Sequence, residues 1–307
     1  MFSSASNFVK DVDSTFLFIF AISFIFLIGL TAIMIWFVVK YNRKRHPKAE
    51  QVKEDIRVEI AWIVIPIIIV LAMFYYGYIA FTPMRNVPKG AMEVKVTGRK
   101  WNWSFEYENG KISSELYLPV NKPVKANLYS PDVIHSFYVP AFRIKEDVVP
   151  GKNNFAWFIP EVQDTFEILC SAYCGVRHSY MESKVIVLSD TAFNTWLNQK
   201  SPETIESKGL DLLKANACIS CHSLDGSKLV GPTFKGLYNS QQIVLVSGVE
   251  KSVLADTAYI RRSILEPDYE VVKGYNPGMM RAYKSVLKEE DIKTIQEYFV
   301  NQKKSEK

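Results

Sequence analysis

The stretch Cys170-Ser171-Ala172-Tyr173-Cys174-Gly175-Val176-Arg177-His178-Ser179-Tyr180-Met181 crowds two thiols, an imidazole and a thioether onto one short segment. Such a soft donor set suits copper better than magnesium or calcium. A further histidine, His135, lies upstream between two predicted strands. Two cysteines, two histidines and a methionine are enough ligands for two copper ions bridged by both sulfurs. The competing reading is a disulfide between Cys170 and Cys174, with His178 and Met181 as bystanders.

Around this segment run short stretches rich in β-branched and aromatic residues: Met92–Thr97, Trp101–Tyr107, Val124–Tyr129, Ser136–Val139, Asn154–Ile159, Thr165–Cys170 and Lys184–Leu188. Glu108-Asn109-Gly110 and Pro150-Gly151-Lys152 punctuate them. Short, regularly spaced strands with such turns predict a β-sandwich over residues 85–190. A more polar segment, 191–204, holds Ser201-Pro202-Glu203-Thr204, a helix-start signal, and reads as linker plus cap. From 205 to 307 the signals are helical, in Leu210–Ala217, Ala258–Leu265 and Lys288–Val300, and predict a small all-α domain.

That last region opens with Ala217-Cys218-Ile219-Ser220-Cys221-His222. The C-x-x-C-H pattern is the attachment signature of a c-type haem. Two thiols add to the vinyl groups along one porphyrin edge, and the adjacent His222 supplies a proximal nitrogen. A second axial ligand, commonly methionine, raises the potential. Gly274-Tyr275-Asn276-Pro277-Gly278-Met279-Met280 offers two candidates about 60 residues on. Three of the four histidines thus sit in cofactor-like settings, and His46, in a basic loop, reads as solvated.

Upstream of the sandwich, Thr15–Val39 and Ile60–Phe81 are uncharged runs of 25 and 22 residues. Each exceeds the roughly 20 needed to span a bilayer as a helix, so residues 1–84 read as a transmembrane hairpin with Pro66 as a kink. A soluble cytosolic protein is excluded. The net charge is +5, and residues 40–59 between the runs carry +3 of it through Lys40, Arg43, Lys44, Arg45, Lys48, Lys53 and Arg57. The positive-inside rule puts this loop in the cytoplasm and the N-terminus and soluble regions on the other side. Both soluble regions are nearly neutral, which argues against nucleic acid as a partner.

The motif C-S-x-x-C-G-x-x-H-x-x-M resembles the dinuclear CuA loop of cytochrome c oxidase subunit II. Asp132-Val133-Ile134-His135-Ser136-Phe137-Tyr138-Val139-Pro140 is similar to the segment carrying that family's first histidine ligand. Lys145-Glu146-Asp147-Val148-Val149-Pro150-Gly151, Trp101-Asn102-Trp103-Ser104-Phe105-Glu106-Tyr107 and Glu59-Ile60-Ala61-Trp62 follow the family too. The last hundred residues resemble a class I cytochrome c domain, through Tyr259-Ile260-Arg261-Arg262-Ser263-Ile264-Leu265-Glu266-Pro267 and Gly274-Tyr275. Together the likeness is strongest to the subunit II of caa-type oxidases, in which cytochrome c is fused to the CuA domain.

That resemblance implies a multidomain chain: a transmembrane α-helical hairpin (helices about 15–39 and 60–81), a cupredoxin-like β-sandwich and a small all-α class I cytochrome c domain. It implies that Cys170 and Cys174 bridge the coppers, that His135 and His178 each terminate one, that Met181 is a weak axial ligand and that Ala172 offers its backbone carbonyl. Most of the family has Glu at that last position, whose carboxylate helps hold magnesium; alanine keeps the carbonyl and loses the carboxylate. For the haem, the spacing to Tyr283 favours Met280 over Met279, although Arg281 replaces the usual Pro. Gly231-Pro232 resembles the turn whose carbonyl orients the proximal imidazole. Trp101 aligns with the tryptophan through which electrons reach CuA, or else is a strand aromatic filling the core. Glu59 aligns with a glutamate near a proton-uptake path, or else simply meets the helix dipole.

The implied function is electron input to an oxidase in a bacterial inner membrane, with the soluble domains on the periplasmic side. Electrons would pass from an external cytochrome c or other small redox protein, through haem c and CuA, to a subunit I that reduces oxygen and pumps protons, with subunit III alongside. This chain has too few histidines for a haem–copper oxygen site. The alternatives are the electron-input subunit of a CuA-type nitric oxide reductase, and a membrane-anchored carrier outside any oxidase. A quinol oxidase subunit is disfavoured because the copper ligands are present.

Overall fold

The computed structural model describes residues 5–48, 55–199, 205–284 and 286–305. Two long helices come first, α1 (Val9–Lys40) and α2 (Ile56–Phe81). Their side chains are overwhelmingly apolar and face outward: α2 buries no residue, and α1 only Val9 and Asp13. Mean hydropathies of 2.8 and 2.5 make both able to cross a membrane. Exposed to water, such a surface would be penalised at roughly 25 cal/mol per Å², so this hairpin belongs in lipid. Asp55 caps α2 by accepting from the Arg57 backbone N–H, and the helix runs unbroken through Pro66.

At 32 residues, α1 is longer than the expected span. A rise of 1.5 Å per residue makes it about 48 Å long, against a hydrocarbon core of about 30 Å. The surplus at its N-terminal end is gripped by the soluble part. Ala5 and Phe8 are buried in the sandwich core, and Ser6 pairs with Pro160. The Ser6 hydroxyl donates to the Phe142 carbonyl at 2.9 Å, and Arg143 Nε meets Asp13 Oδ1 at 2.7 Å. The start of α1 and the sandwich therefore lie at the same end of the hairpin.

The sandwich contains β1 (Met92–Arg99), β2 (Asn102–Tyr107), β3 (Ile112–Ser113), β4 (Leu116–Pro119), β5 (Val124–Tyr129), β6 (His135–Val139), β7 (Ile144–Val148), β8 (Asn154–Phe158), β9 (Thr165–Cys170) and β10 (Glu182–Leu188). They form two five-stranded sheets, ordered β3-β2-β1-β5-β8 and β4-β10-β9-β6-β7. Alternate side chains point inward, as the two-residue period of a strand requires. Trp103, Phe105 and Tyr107 do so from β2, and Val124, Ala126 and Leu128 from β5. The expected linker 191–204 is partly helix: α3 (Asp190–Asn198) starts on a Ser189 cap that accepts from the Ala192 N–H at 3.3 Å. Its apolar face packs on the sandwich through Phe193 and Trp196, the latter stacked on Tyr117 at 4.1 Å. Ser201–Thr204 lies outside the described residues.

The C-terminal unit contains α4 (Ile205–Ala215), α5 (Cys218–Cys221), α6 (Thr257–Leu265) and α7 (Glu289–Ser305). Helices α4 and α7 cross closely at Gly209, where a Cβ would lie 2.4 Å from Tyr298 Cβ, so only glycine fits. The all-α expectation needs correcting. A three-stranded sheet, ordered β12-β11-β13, joins the helices: β11 (Gln241–Val246), β12 (Val249–Leu254) and β13 (Val271–Val272). Gln241-Gln242-Ile243-Val244-Leu245-Val246 is rich in β-formers, and Ser247-Gly248, with φ of 50° and 82°, makes the tight turn that suits the strand twist.

Candidate metal centre

Strands β6 and β9 run antiparallel with Phe137 opposite Cys170. That register places the first residue of β6, His135, beside the loop that leaves β9. The loop then returns through a single 3₁₀ turn at His178–Tyr180 into β10. The six residues expected around copper are thereby gathered. Cys170 Sγ lies 3.9 Å from Cys174 Sγ and 3.9 Å from His135 Nδ1. Cys174 Sγ lies 3.6 Å from His178 Nδ1 and 3.7 Å from Met181 Sδ. The Ala172 carbonyl oxygen is 3.2 Å from Cys170 Sγ. Both cysteines are free thiols, and their sulfurs stand nearly twice a disulfide bond length apart. This arrangement speaks against the disulfide reading.

The ligand atoms of His135, Cys170 and Cys174 are mutually within 4.8 Å, and all three residues are buried. Burial alone would push the Cys170 thiol up, but hydrogen bonding from His135 and neighbouring backbone groups brings it down to about 7. Cys174 has no such help: burial and the nearby Cys170 push it up to about 12. The imidazole and backbone groups thus favour the thiolate at Cys170, while burial and its neighbour oppose it at Cys174. A buried pair of soft sulfurs, each with its own imidazole, fits two bridged copper ions.

Asp132, quoted in the sequence as part of a longer segment, has a role of its own here. Its Oδ1 is 2.9 Å from His135 Nε2, while its carboxylate accepts from the backbone N–H groups of Lys100 at 2.9 Å and Val133 at 2.7 Å. Burial opposes its ionisation, yet these bonds hold its carboxyl well below the usual carboxylate range. With Nε2–H given to Asp132, His135 turns Nδ1 toward Cys170. This carboxylate fixes the tautomer and the ring plane of a candidate ligand. A carboxylate three residues before the histidine was the signal available in the sequence.

Beside this loop lies a cavity of about 290 Å³ lined from both units. Cys218, Cys221, His222, Met279 and Met280 face it from the C-terminal unit, and Lys100 and Trp101 from the β1–β2 turn. His222 Nδ1 is 2.6 Å from the Pro232 carbonyl oxygen, and its ring stacks on Phe234 at 4.5 Å. Gly231 permits that approach, since a Cβ there would lie 2.5 Å from His222 Cε1. Nε2 is left for a ligand. Burial holds the imidazole below its ordinary pKa, which keeps it neutral, and pushes the Cys218 thiol up to about 12. Met280 is half-buried against the C-terminal core, whereas Met279 is 39% exposed. Cavity walls of this kind fit a covalently attached planar macrocycle with one His and one Met ligand.

Trp101 belongs to both places. It is buried, lines the cavity, and donates its Nε1–H to the Cys174 carbonyl at 3.3 Å. Glu59 sits in the first turn of α2. About 39 Å of helix separates that end from the sandwich.

Residues 92–189 match the family described as cytochrome c oxidase subunit II, periplasmic domain, and residues 1–78 its transmembrane domain. Cytochrome c oxidase subunit 2 of Alkalihalophilus pseudofirmus is 28% identical over 291 residues, covering 89% of this chain and 82% of that protein. The counterpart from Cereibacter sphaeroides is 30% identical over 219 residues, covering 58% of this chain and 72% of its own length. Among solved structures, the periplasmic domain of subunit II of the Bradyrhizobium japonicum oxidase is 34% identical, with a TM-score of 0.35, covering 36% of this chain and 94% of that one. A membrane hairpin joined to a buried Cys–His–Met loop is thus matched in sequence over both parts, and the chain belongs to the cytochrome c oxidase subunit II family, whose periplasmic domain implies CuA copper.

Proposed function

We propose that this chain is the electron-input subunit of a haem-copper oxidase and carries two redox centres in series. His135, Cys170, the Ala172 carbonyl, Cys174, His178 and Met181 hold dinuclear CuA. Cys218, Cys221, His222 and Met280 hold one haem c, with Pro232 orienting the proximal imidazole. Both cofactors supply one-electron chemistry when bound. The match to the Alkalihalophilus protein over 89% of the chain extends past the copper domain and supports a shared C-terminal unit.

The observation that carries the reading is the place of Trp101. One indole forms part of the haem-side cavity wall and hydrogen-bonds the backbone of a copper-bridging cysteine. The C-terminal unit covers it, so an electron from an external cytochrome c or similar donor reaches this indole from the tethered unit and not from solvent. Tethering keeps that donor at high effective concentration. On the outward side of the copper loop, Tyr173, Val176 and Tyr180 are 79%, 67% and 66% exposed. This apolar rim suits docking on subunit I, which reduces oxygen and pumps protons; subunit III completes the membrane assembly. The hairpin sits in a bacterial inner membrane with both soluble units on the periplasmic side and Glu59 near a proton-uptake path on the other.

The test is metal content and visible spectra of the full chain, made with haem-maturation machinery and supplied with copper. Two coppers per covalent haem are expected, with purple thiolate absorption lost in Cys170→Ser. Haem without copper, and Cys170 joined to Cys174, would overturn the CuA assignment; copper without covalent haem would overturn the relay.

A further inference from the structure

The two cysteines of the C-x-x-C-H segment face different cores. Cys218 packs against the buried cluster of its own unit, and Cys221 against that of the sandwich. The copper loop is close to Cys221: burial pushes its thiol up, and the Arg177 guanidinium of that loop opposes the rise. Arg177 Nε is itself buried, with no partner among the described residues. Hydrogen bonds tie the units together beside the segment. Asn102 Nδ2 donates to the Lys214 carbonyl at 3.3 Å, and Arg99 Nη1 to Asn216 Oδ1 at 3.5 Å.

Trp101 lies in the same boundary. It lines the cavity that Cys221 also lines, and it gives its Nε1–H to the Cys174 carbonyl at 3.3 Å. The next residue, Gly175, supplies the rest of that contact. A Cβ there would lie 3.1 Å from Trp101 Cζ2 and 3.3 Å from Nε1, closer than ordinary packing tolerates. Its φ of 125° is also one that glycine alone adopts without strain. The indole edge therefore rests directly on the Cys174–Gly175 peptide. From the wall that carries Cys221, one side chain and one hydrogen bond lead to a copper-bridging residue. Electronic coupling falls steeply across gaps between atoms, so a methyl group at position 175 would open the path where it enters the copper loop.

We propose that Gly175 is a positioning residue for electron input. By carrying no side chain it lets Trp101 lie against the Cys174–Gly175 peptide, and so couples the Cys221 side of the C-terminal unit to the copper pair. The inference rests on the two-cofactor reading above. One electron moves in the step: haem iron is oxidised from ferrous to ferric, and the copper pair is reduced by that electron. No bond forms or breaks and no proton is transferred.

The experiment uses the full chain, haem-matured and copper-loaded. A photoexcited ruthenium complex reduces the haem in a flash, and the electron is followed from the haem band into the purple copper absorption. Gly175→Ala should slow that transfer about tenfold or more, while both midpoint potentials and the purple absorption stay as in the wild type. Gly110→Ala, also at a left-handed position (φ 81°) but with open space around it, should leave the transfer unmoved. Phenylalanine lacks the Nε1 and Cζ2 that a methyl at position 175 would meet. Trp101→Phe should therefore be slow by itself, and adding Gly175→Ala should slow it no further, the non-additivity expected of one shared contact. Unchanged transfer in Gly175→Ala, or full additivity in the double variant, would overturn the positioning role and leave the relay intact. Haem and copper both present without transfer between them in the wild type, or no covalent haem, would overturn the relay and the inference together. If Gly175→Ala loses its copper, the wild-type chain decides, through the indole N–H resonance of Trp101 in isotope-labelled protein. A resonance that moves when the copper pair is oxidised supports the contact, and one blind to the copper overturns it.

Discussion

The copper loop and the C-x-x-C-H unit both converge on sulfur and imidazole, but they are supported in opposite ways. Around the loop the protein does everything itself. Strand register places His135, Asp132 fixes its ring, and a core that includes Trp103, Phe137 and Met181 closes beneath. The C-terminal unit has a smaller core arranged around a cavity of about 290 Å³, and its ligands stand on the walls of that space. On the proposed reading, the protein's own packing shapes the first site, and a haem would complete the interior of the second.

The strongest way to break this contrast is Cys218→Ser combined with Cys221→Ser. Covalent haem should be abolished, and limited proteolysis with mass spectrometry should then show cleavage within the C-terminal unit while residues 92–188 stay intact. Equal digestion of both units would mean that the haem is not what completes the fold. In the sandwich, Cys170→Ser should abolish the purple absorption yet leave the copper-free domain within about 1 kcal/mol of wild type in thermal unfolding, since the core packing is untouched. A larger loss would show that the loop depends on its metal as much as its neighbour does.

Asp132→Asn sharpens the comparison without removing a ligand. Loss of the carboxylate that orients His135 should weaken copper binding about 10- to 100-fold in competition titrations. A smaller effect follows from acidity. In the metal-free protein the Cys170 thiol is held at about 7, below its ordinary value, so its thiolate is present above that pH and is lost as the pH falls through it. Burial and the neighbouring Cys170 push Cys174 the other way. Copper affinity should therefore fall with acidification in the same competition titrations, because protons on the ligands must then be displaced. The smallest effect is expected where no cofactor is involved. Ser189→Ala removes the α3 cap and should cost the sandwich about 1 kcal/mol by denaturant unfolding.

What the sequence made legible follows from distance along the chain. Five of the six proposed copper ligands fall between residues 170 and 181, and the C-x-x-C-H motif is contiguous, so local spacing carried both readings. The membrane helices were legible because lipid imposes a length. Asp132 stayed unread because its value comes from the ring it meets. The hairpin of β11 and β12 was missed although Ser247-Gly248 marks its turn, because helical signals on both sides set the expectation for the whole region. The helix α3 was hidden by its polar residues and short length; its three large apolar side chains, Phe193, Trp196 and Leu197, pack on the sandwich.

The grip of the sandwich on the start of α1 also sets an order for biogenesis. Ser6 needs Phe142 and Pro160 as partners, one of them 136 positions away in sequence. During synthesis residues 5–8 are made before the loop, the second helix and most of the strands, and must wait for their partners. Contacts of such long range close slowly, because a large loop has to be immobilised first. The sandwich is therefore sealed late, by residues that precede both membrane helices. A lesion at Ser6 or Asp13 should accordingly appear as delayed maturation on the membrane surface before it appears as any change in the finished centre.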